Sequence, residues 1–344
     1  MTTTDIPTEP AARHTSASTV LRLQGLTVDF PGRRAVDGLD LELKEGEILA
    51  LVGESGCGKS TTALSILQLL PRNAVIGGRI ELAGRDIRGL KPKALAALRG
   101  RDVAMIFQEP MSSLNPLQTI GDQVAEAILL HERVSRTEAR QRAIALLELV
   151  KIPDAARRID DYPHQLSGGQ RQRVMIAMAS ACRPKLLIAD EPTTALDVTI
   201  QRQILDLIAD LVAEQGMAMI LISHDLGVIA ENVQRMIVMY GGTVVESGTT
   251  DAVFSRMGHP YTQGLFRARP RLGARKGTRL ATIAGTVPEL ADLPAGCPFA
   301  DRCNLVVDAC RTALPPVAEI GAGHAVRCIR TDVALTRDPV GVIA

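Results

Sequence analysis

From residue 20 to residue 52 apolar and polar positions alternate, as in Leu21-Arg-Leu-Gln-Gly-Leu-Thr-Val-Asp-Phe30 and Leu39-Asp-Leu-Glu-Leu43. Successive side chains of a strand point to opposite faces, so this alternation predicts antiparallel strands with one wet face. The pattern then changes: Ile48-Leu-Ala-Leu-Val52 is apolar throughout, the mark of a short strand buried on both sides. Ser60 to Leu70 reads as a helix stopped by Pro71. Around residues 99 to 180 the periodicity is helical. Ser135-Arg-Thr-Glu138 predicts a capping box, after which Ala139, Ala143, Leu146, Leu147 and Val150 fall on one apolar face. Lys185-Leu-Leu-Ile-Ala-Asp190 and Met217-Ala-Met-Ile-Leu-Ile-Ser223 are again unbroken apolar runs, with a helical stretch near residues 199 to 215 between them. Strands alternating with helices in this way predict an α/β fold whose parallel sheet is covered on both faces. Met236-Ile-Val-Met-Tyr240 and Thr243-Val-Val-Glu246 flank Gly241-Gly242, a hairpin signal. Past about residue 256 the composition shifts toward Arg, Pro, Gly and Cys, which marks a separate C-terminal element.

Charge and composition narrow the classes. The chain has 344 residues, enough for two domains, and a net charge of +1, which gives no global pull toward nucleic acid. Apolar residues make up 46%, yet no run reaches the ~18 consecutive apolar residues of a membrane span. Residues 1–18 are rich in Thr, Ala, Ser and Pro without a basic start and apolar core, so they read as a disordered lead-in and not a secretion signal. A cytosolic chain is expected, with its six cysteines reduced unless they bind metal.

The segment Gly53-Glu-Ser-Gly-Cys-Gly-Lys-Ser60 directly follows the apolar run ending at Val52. Strand, glycine-rich turn and helix make a phosphate cradle. Gly53, Gly56 and Gly58 allow left-handed backbone, so successive N–H groups of Glu54, Ser55, Cys57 and their neighbours, on to Thr61, can face phosphate oxygens. Lys59 supplies a cation for the β- and γ-phosphates, and the Ser60 hydroxyl can ligate Mg²⁺. The bland alternative is an ordinary glycine-rich turn, which the preceding strand and complete eight-residue pattern disfavour. Cys57 lies near a helix start, where a thiolate is favoured, and reads first as a small residue tolerated at a variable position. No motif recurs, so the chain holds a single nucleotide site.

Further features lie downstream, each weak alone. Asp190 and Glu191 end the run Leu186-Leu-Ile-Ala-Asp190. Asp190 can hold Mg²⁺ through water, and Glu191 can polarise a water that attacks the γ-phosphate, although two solvated carboxylates at a strand end are the plain alternative. Leu166-Ser-Gly-Gly-Gln170 precedes a helical stretch, so Ser167 and the amides of Gly168, Gly169 and Gln170 would offer an anion site at a helix start, or merely an N-cap turn. Gln108 follows Val103-Ala-Met-Ile-Phe107 and can turn its amide toward Mg²⁺ or water. His224 follows Ile220-Leu-Ile-Ser223 and can reach a γ-phosphate, whereas a lone histidine at a strand end is usually a structural hydrogen-bonder.

Together and in this order, these residues resemble the nucleotide-binding subunit of an ABC transporter. The likeness covers about residues 20 to 255 and implies an ABC-type P-loop NTPase: a RecA-like parallel core, an antiparallel β subdomain and a helical subdomain. It implies ATP and Mg²⁺ as ligands, Gly53 to Ser60 as Walker A, Gln108 as the Q-loop, Asp190 as the Walker B acid and Glu191 as the catalytic carboxylate. It further implies Asp197 as the D-loop acid, His224 as the switch histidine and Phe30 as the ring stacked on adenine, a place often held by Tyr. Ser167 to Gln170 would then close over the ATP of a facing subunit. Phe107-Gln-Glu-Pro-Met-Ser-Ser-Leu-Asn-Pro116, His259-Pro-Tyr-Thr262, Val287-Pro-Glu-Leu290 and Gly296-Cys-Pro-Phe-Ala-Asp-Arg-Cys303 resemble the dipeptide, oligopeptide and nickel importer ATPases and extend the likeness over nearly the whole chain. The implied partners are a second, similar ATPase subunit, two membrane permease subunits and an extracytoplasmic binding protein, with the chain on the cytoplasmic face of the membrane. A soluble ABC ATPase acting on nucleic acid or ribosomes is the rival, yet neither a long coiled-coil insertion nor a second cassette is present. A non-hydrolysing module is disfavoured by intact Lys59, Asp190, Glu191 and His224.

Cys297, Cys303, Cys310 and Cys328 cluster in the last fifth of the chain. They can be packed small hydrophobes. Their spacings fit zinc poorly, since paired zinc cysteines stand ~2–4 residues apart. An all-thiolate set with Pro298 after Cys297 suits an iron–sulfur cluster better, and the resemblance points to a 4Fe-4S cluster too. Cys182 reads as a packed helix residue.

Overall fold

The computed structural model describes residues 18–109, 113–194, 196–224, 226–268 and 282–336. The expected lead-in, apart from Ser18, therefore lies outside the described residues, as do Pro110, Met111 and Ser112 of the motifs above.

Strands β1 (Thr19–Phe30) and β2 (Arg33–Lys44) precede β3 (Ile48–Val52), which runs into the glycine-rich loop and helix α1 (Lys59–Ile66). Strands β4 (Val75–Leu82) and β5 (Arg85–Asp86) follow, then a short helix at Pro92–Leu98 and strand β6 (Val103–Ile106). Helices α2 (Ile120–Leu129), α3 (Arg136–Leu149) and α4 (Gly168–Ser180) pack together as a helical layer. The Ser135 hydroxyl caps α3 by accepting the Glu138 N–H at 3.2 Å. Ala139, Ala143, Leu147 and Val150 are buried along its inner face, and the helix therefore forms where the apolar spacing placed it. The chain returns through β7 (Leu186–Asp190), α5 (Val198–Gln215), β8 (Ala218–Ile222), α6 (Leu226–Asn232), β9 (Arg235–Tyr240) and β10 (Thr243–Thr249). After α7 (Pro260–Arg267) come the short strands β11 (Ala318–Gly321) and β12 (His324–Val326).

These strands make two sheets. The smaller, ordered β2-β1-β4-β5, is antiparallel throughout, as its alternation requires. The larger is ordered β11-β12-β10-β9-β3-β8-β7-β6, and from β9 to β6 all neighbours are parallel. Every residue of β3, β7 and β8 is buried, which explains why their sequences are continuous apolar runs. One apolar core lies between the small sheet, α1 and one face of the large sheet. The other lies between the opposite face, the helical layer and the C-terminal region.

Gly241 and Gly242, at φ 53° and 79°, turn β9 into antiparallel β10. Two consecutive left-handed residues give the tight primed turn that glycine favours. The region past residue 256 is stitched to the cassette: β12 pairs with β10 through Glu246↔Val326 and adds the β11–β12 hairpin to the sheet edge. Glu246 is buried, accepts the N–H groups of Gly258 (2.7 Å) and His259 (3.0 Å), and lies 2.8 Å from His324 Nε2. A buried carboxylate so fully bonded joins hairpin, sheet and the start of α7. Among the described residues, no helix is long and apolar enough to cross a membrane.

Candidate active site

Four loops leave the carboxyl ends of the adjacent parallel strands β6, β7, β8 and β3, the edge where open α/β sheets hold their ligands. They carry Gln108, Asp190 with Glu191, His224, and the Gly53–Ser60 turn.

Gly53, Gly56 and Gly58 have φ values of 153°, 81° and 104°. A Cβ on Gly58 would stand 2.6 Å from the Ala35 carbonyl oxygen, and one on Gly53 would strike the Met239 carbonyl and stand 2.6 Å from Cys57 Sγ. At Gly53 and Gly58 the loop is thus wrapped against β2 and β9 with no room for a side chain. Lys59 Nζ donates to the carbonyls of Gly53 (2.7 Å) and Glu54 (3.0 Å). Cys57 is buried beneath the loop, and burial pushes its thiol above the ordinary range, so the thiolate that a helix start favours is not formed. Ser60 is exposed, and its hydroxyl acts on the Asp190 carboxylate by favouring the charged form. Asp190 Oδ1 is buried and has no hydrogen-bond partner among the described residues, and burial holds this carboxyl above the usual carboxylate range. An unsatisfied buried carboxylate oxygen beside a hydroxyl, at the foot of a phosphate cradle, is a donor set that fits Mg²⁺.

Glu191 gathers the remaining groups. Its Oε2 accepts from Gln108 Nε2 (3.0 Å) and from Thr194 Oγ1 (3.1 Å), and His224 Nδ1 stands 3.6 Å away. Its backbone sits in the left-handed region at φ 46° and is held by an N–H bond to the Ile222 carbonyl at 2.9 Å. Such strain at a non-glycine residue persists only where the surroundings fix it, and it aims this side chain across the strand ends. The structure therefore brings Gln108, Glu191 and His224 together, and adds Thr194, which no sequence pattern had singled out.

Ser167 to Gln170 and Asp197 form a second group. Ser167 and Gln170 complete a reciprocal capping box at the start of α4, with Gln170 N to Ser167 Oγ 3.3 Å and Ser167 N to Gln170 Oε1 3.0 Å. Asp197 caps α5 by accepting the Ile200 N–H at 3.0 Å. With Gly168 and Gly169 these residues line a cleft of about 520 Å³. No hydrogen bond among the described residues ties this group to the glycine-rich loop. Phe30 is half-buried at the β1–β2 turn, with the Arg33 guanidinium 5.8 Å over its ring.

The four C-terminal cysteines are neighbours. Cys297 and Cys310 are buried and joined by a 2.7 Å bond from the Cys297 N–H to the Cys310 carbonyl. Burial, with a smaller contribution from the nearby Cys328, Cys303 and Cys310, pushes the Cys297 thiol up to about 11. Among the described residues, however, no three His, Cys, Asp or Glu side chains close on one point as a single metal ion requires.

The fold and the strand-end acids define an ATPase of the P-loop class. Comparison with known proteins places it more narrowly. Residues 36–194 match the ABC transporter family, and residues 245–310 match the oligopeptide/dipeptide transporter C-terminal region. A putative peptide import ATP-binding protein of Brucella melitensis is 51% identical over 92% of this chain and 98% of its own length. A probable peptide ABC transporter ATP-binding protein of Sinorhizobium fredii is 49% identical, over 92% of this chain and 96% of its own length. Among solved structures, a dimeric ATP-binding cassette in a post-hydrolysis state, bound to ADP and phosphate, superposes with a TM-score of 0.60 at 30% identity, covering 67% of this chain and 98% of that one. The chain belongs to the ATP-binding subunits of ABC transporters, in the group that carries the oligopeptide/dipeptide C-terminal region, and it is an ATPase.

Proposed function

We propose that this chain hydrolyses ATP to drive uptake of dipeptides or oligopeptides through a membrane permease, as a peripheral subunit on the cytoplasmic face. The observation that carries the reading is the joint presence of the Gln108–Glu191–His224 assembly and the transporter-type C-terminal region in a chain half identical to peptide import proteins. In this reading Lys59 and the loop's backbone N–H groups, apart from that of Glu54, which donates to the Tyr261 hydroxyl, hold the phosphates, and Phe30 meets the adenine. Ser60, Asp190 and Gln108 hold Mg²⁺, which neutralises phosphate charge when bound. Glu191 takes the proton of the attacking water, and His224 reaches the γ-phosphate side.

Ser167 to Gln170 and Asp197 share no hydrogen bond with the chain's own loop among the described residues, and in this reading they serve the ATP of a second, homologous ATPase subunit. Each nucleotide then joins two subunits, one through its loop and the other through the start of a capped helix. Hydrolysis removes the shared anion and weakens the charge-assisted contacts that close the pair. Two permease subunits and an extracytoplasmic binding protein complete the complex.

The test is peptide uptake and ATPase activity in vesicles holding the reconstituted complex. Glu191→Gln should retain bound ATP and lose turnover by about 10²-fold or more, the share of a positioned base. Full activity in that variant removes Glu191 from the chemistry. Peptide-independent turnover that is indifferent to the permease removes the transport assignment.

We further propose that Cys297, Cys303, Cys310 and Cys328 hold a 4Fe-4S cluster. Their mutual proximity supports it. A cluster presents its irons at separate corners, so its thiolates stand farther apart than those around one ion. Protein purified without oxygen should contain iron and sulfide in equal amounts, lost in Cys303→Ser; stoichiometric zinc or no metal ends the proposal.

A further inference from the structure

Glu54, the second residue of the phosphate loop, is gripped from outside the cassette at both its side chain and its backbone. Arg302 donates to its carboxylate as a fork, with Nη1 to Oε2 at 2.6 Å and Nη2 to Oε1 at 3.1 Å. The Arg302 side chain is only 6% exposed and is itself fixed. Nη1 reaches the Tyr240 hydroxyl (3.3 Å), Nε donates to the Ala284 carbonyl (2.9 Å), and the guanidinium lies over the rings of Tyr240 and Phe299. The Glu54 N–H donates to the hydroxyl of Tyr261, a fully buried residue, at 2.7 Å. Tyr240, Tyr261 and Phe299 pack edge-on or tilted with centroids 4.7–5.3 Å apart. In a chain with three tyrosines, five phenylalanines and no tryptophan, this trio is a concentrated anchor.

We infer that Arg302 and Tyr261 are positioning residues for ATP, through which the C-terminal region sets the shape and charge of the phosphate loop. Two physical effects follow from the contacts. Tyr261 occupies the Glu54 N–H, which fixes the Gly53–Glu54 segment whose two carbonyls hold Lys59 Nζ, so the tether reaches the phosphate-binding ammonium in two steps. Arg302 neutralises a carboxylate that would otherwise repel a triphosphate in the adjoining loop. A planar, bidentate guanidinium suits this task better than an ammonium. Arg302 also stands beside Cys303, so whatever orders the cysteine-bearing segment orders the tether.

The inference rests on Gly53–Ser60 being the ATP loop, and the experiment separates the two. Equilibrium binding of a fluorescent ATP analogue with Mg²⁺ is measured on the full chain, with Lys59→Ala as the control for the loop. Arg302→Ala should weaken binding about tenfold, the worth of one charge-assisted contact. Adding Glu54→Gln should recover most of that loss, because no charge is left to neutralise. Tyr261→Phe, which keeps the ring and its packing, should raise KM for ATP with little change in kcat. Arg302→Lys should fall between wild type and Arg302→Ala. A merely structural role predicts lowered thermal midpoints with wild-type affinity in the folded fraction, and that result, or failure of Glu54→Gln to restore Arg302→Ala, overturns the inference. Loss of binding in Lys59→Ala leaves the loop assignment standing whatever Arg302 does; wild-type binding there removes the foundation itself.

Discussion

Thr194 illustrates how a single hydroxyl becomes functional through one unusual backbone angle. Glu191 at φ 46° begins a turn in which Thr194 N donates to the Glu191 carbonyl at 3.2 Å, and that turn carries the Thr194 hydroxyl to 3.1 Å from Glu191 Oε2. Together with Gln108 it fixes the oxygen that the proposed reaction needs. Thr194→Ala should therefore lower kcat about tenfold, the cost of a hydrogen bond to a charged group, while KM for ATP changes little. Equal losses in kcat and kcat/KM in steady-state hydrolysis would fit this role, whereas a rise in KM alone assigns Thr194 to binding. Glu191 itself was legible, because an acid pair after a buried strand is a recognisable pattern. Thr194 was not: Thr193 and Thr194 are equivalent on paper, and only the left-handed turn decides which one faces the acid.

Strands β3, β7 and β8 were readable because burial on both faces leaves apolar runs, broken only by Asp190 at the end of β7, and α3 because one face repeats with the helical period. The hairpin β11–β12 was not, since strands of four and three residues carry no usable period and gain their register only from the edge of β10. The glycine-rich loop is the element where sequence and geometry agree most closely, and its glycines are unequal. A Cβ on Gly56 would meet nothing within 4 Å, whereas one on Gly58 would lie 2.6 Å from the Ala35 carbonyl. Gly56→Ala should cost about 1 kcal/mol of stability, the left-handed penalty alone. Gly58→Ala adds overpacking to that penalty, for a total of about 3 kcal/mol, and pushes the loop off β2. Denaturant unfolding of both variants measures the difference; equal losses would mean that the loop yields freely at Ala35.

At the scale of the molecule, the cassette and the region after residue 256 share one sheet, one apolar core and a set of buried polar ties, so a single buried group can make their union depend on pH. His259 is that group. It is 1% exposed, its Nδ1 accepts the Tyr261 N–H at 3.1 Å, and its own N–H is bound by Glu246. A proton on Nδ1 would face another N–H and sit without water, and burial accordingly lowers the His259 pKa from 6.5 to about 3. Between those values the unfolded chain takes up a proton that the folded chain refuses, so stability is complete above about pH 6.5 and declines as the pH falls toward 3. At pH 5 this one residue should have withdrawn about 2 kcal/mol relative to pH 7. Other acidic groups also titrate there, so the informative quantity is a difference between two proteins. His259→Asn keeps an oxygen able to cap α7 through the Tyr261 N–H but cannot ionise. Its stability, followed by denaturant unfolding from pH 7.5 to pH 5, should fall less steeply than that of the wild type. Parallel curves would mean that His259 finds a way to hold its proton inside the fold, and that the junction between the two regions is wetter than its burial implies.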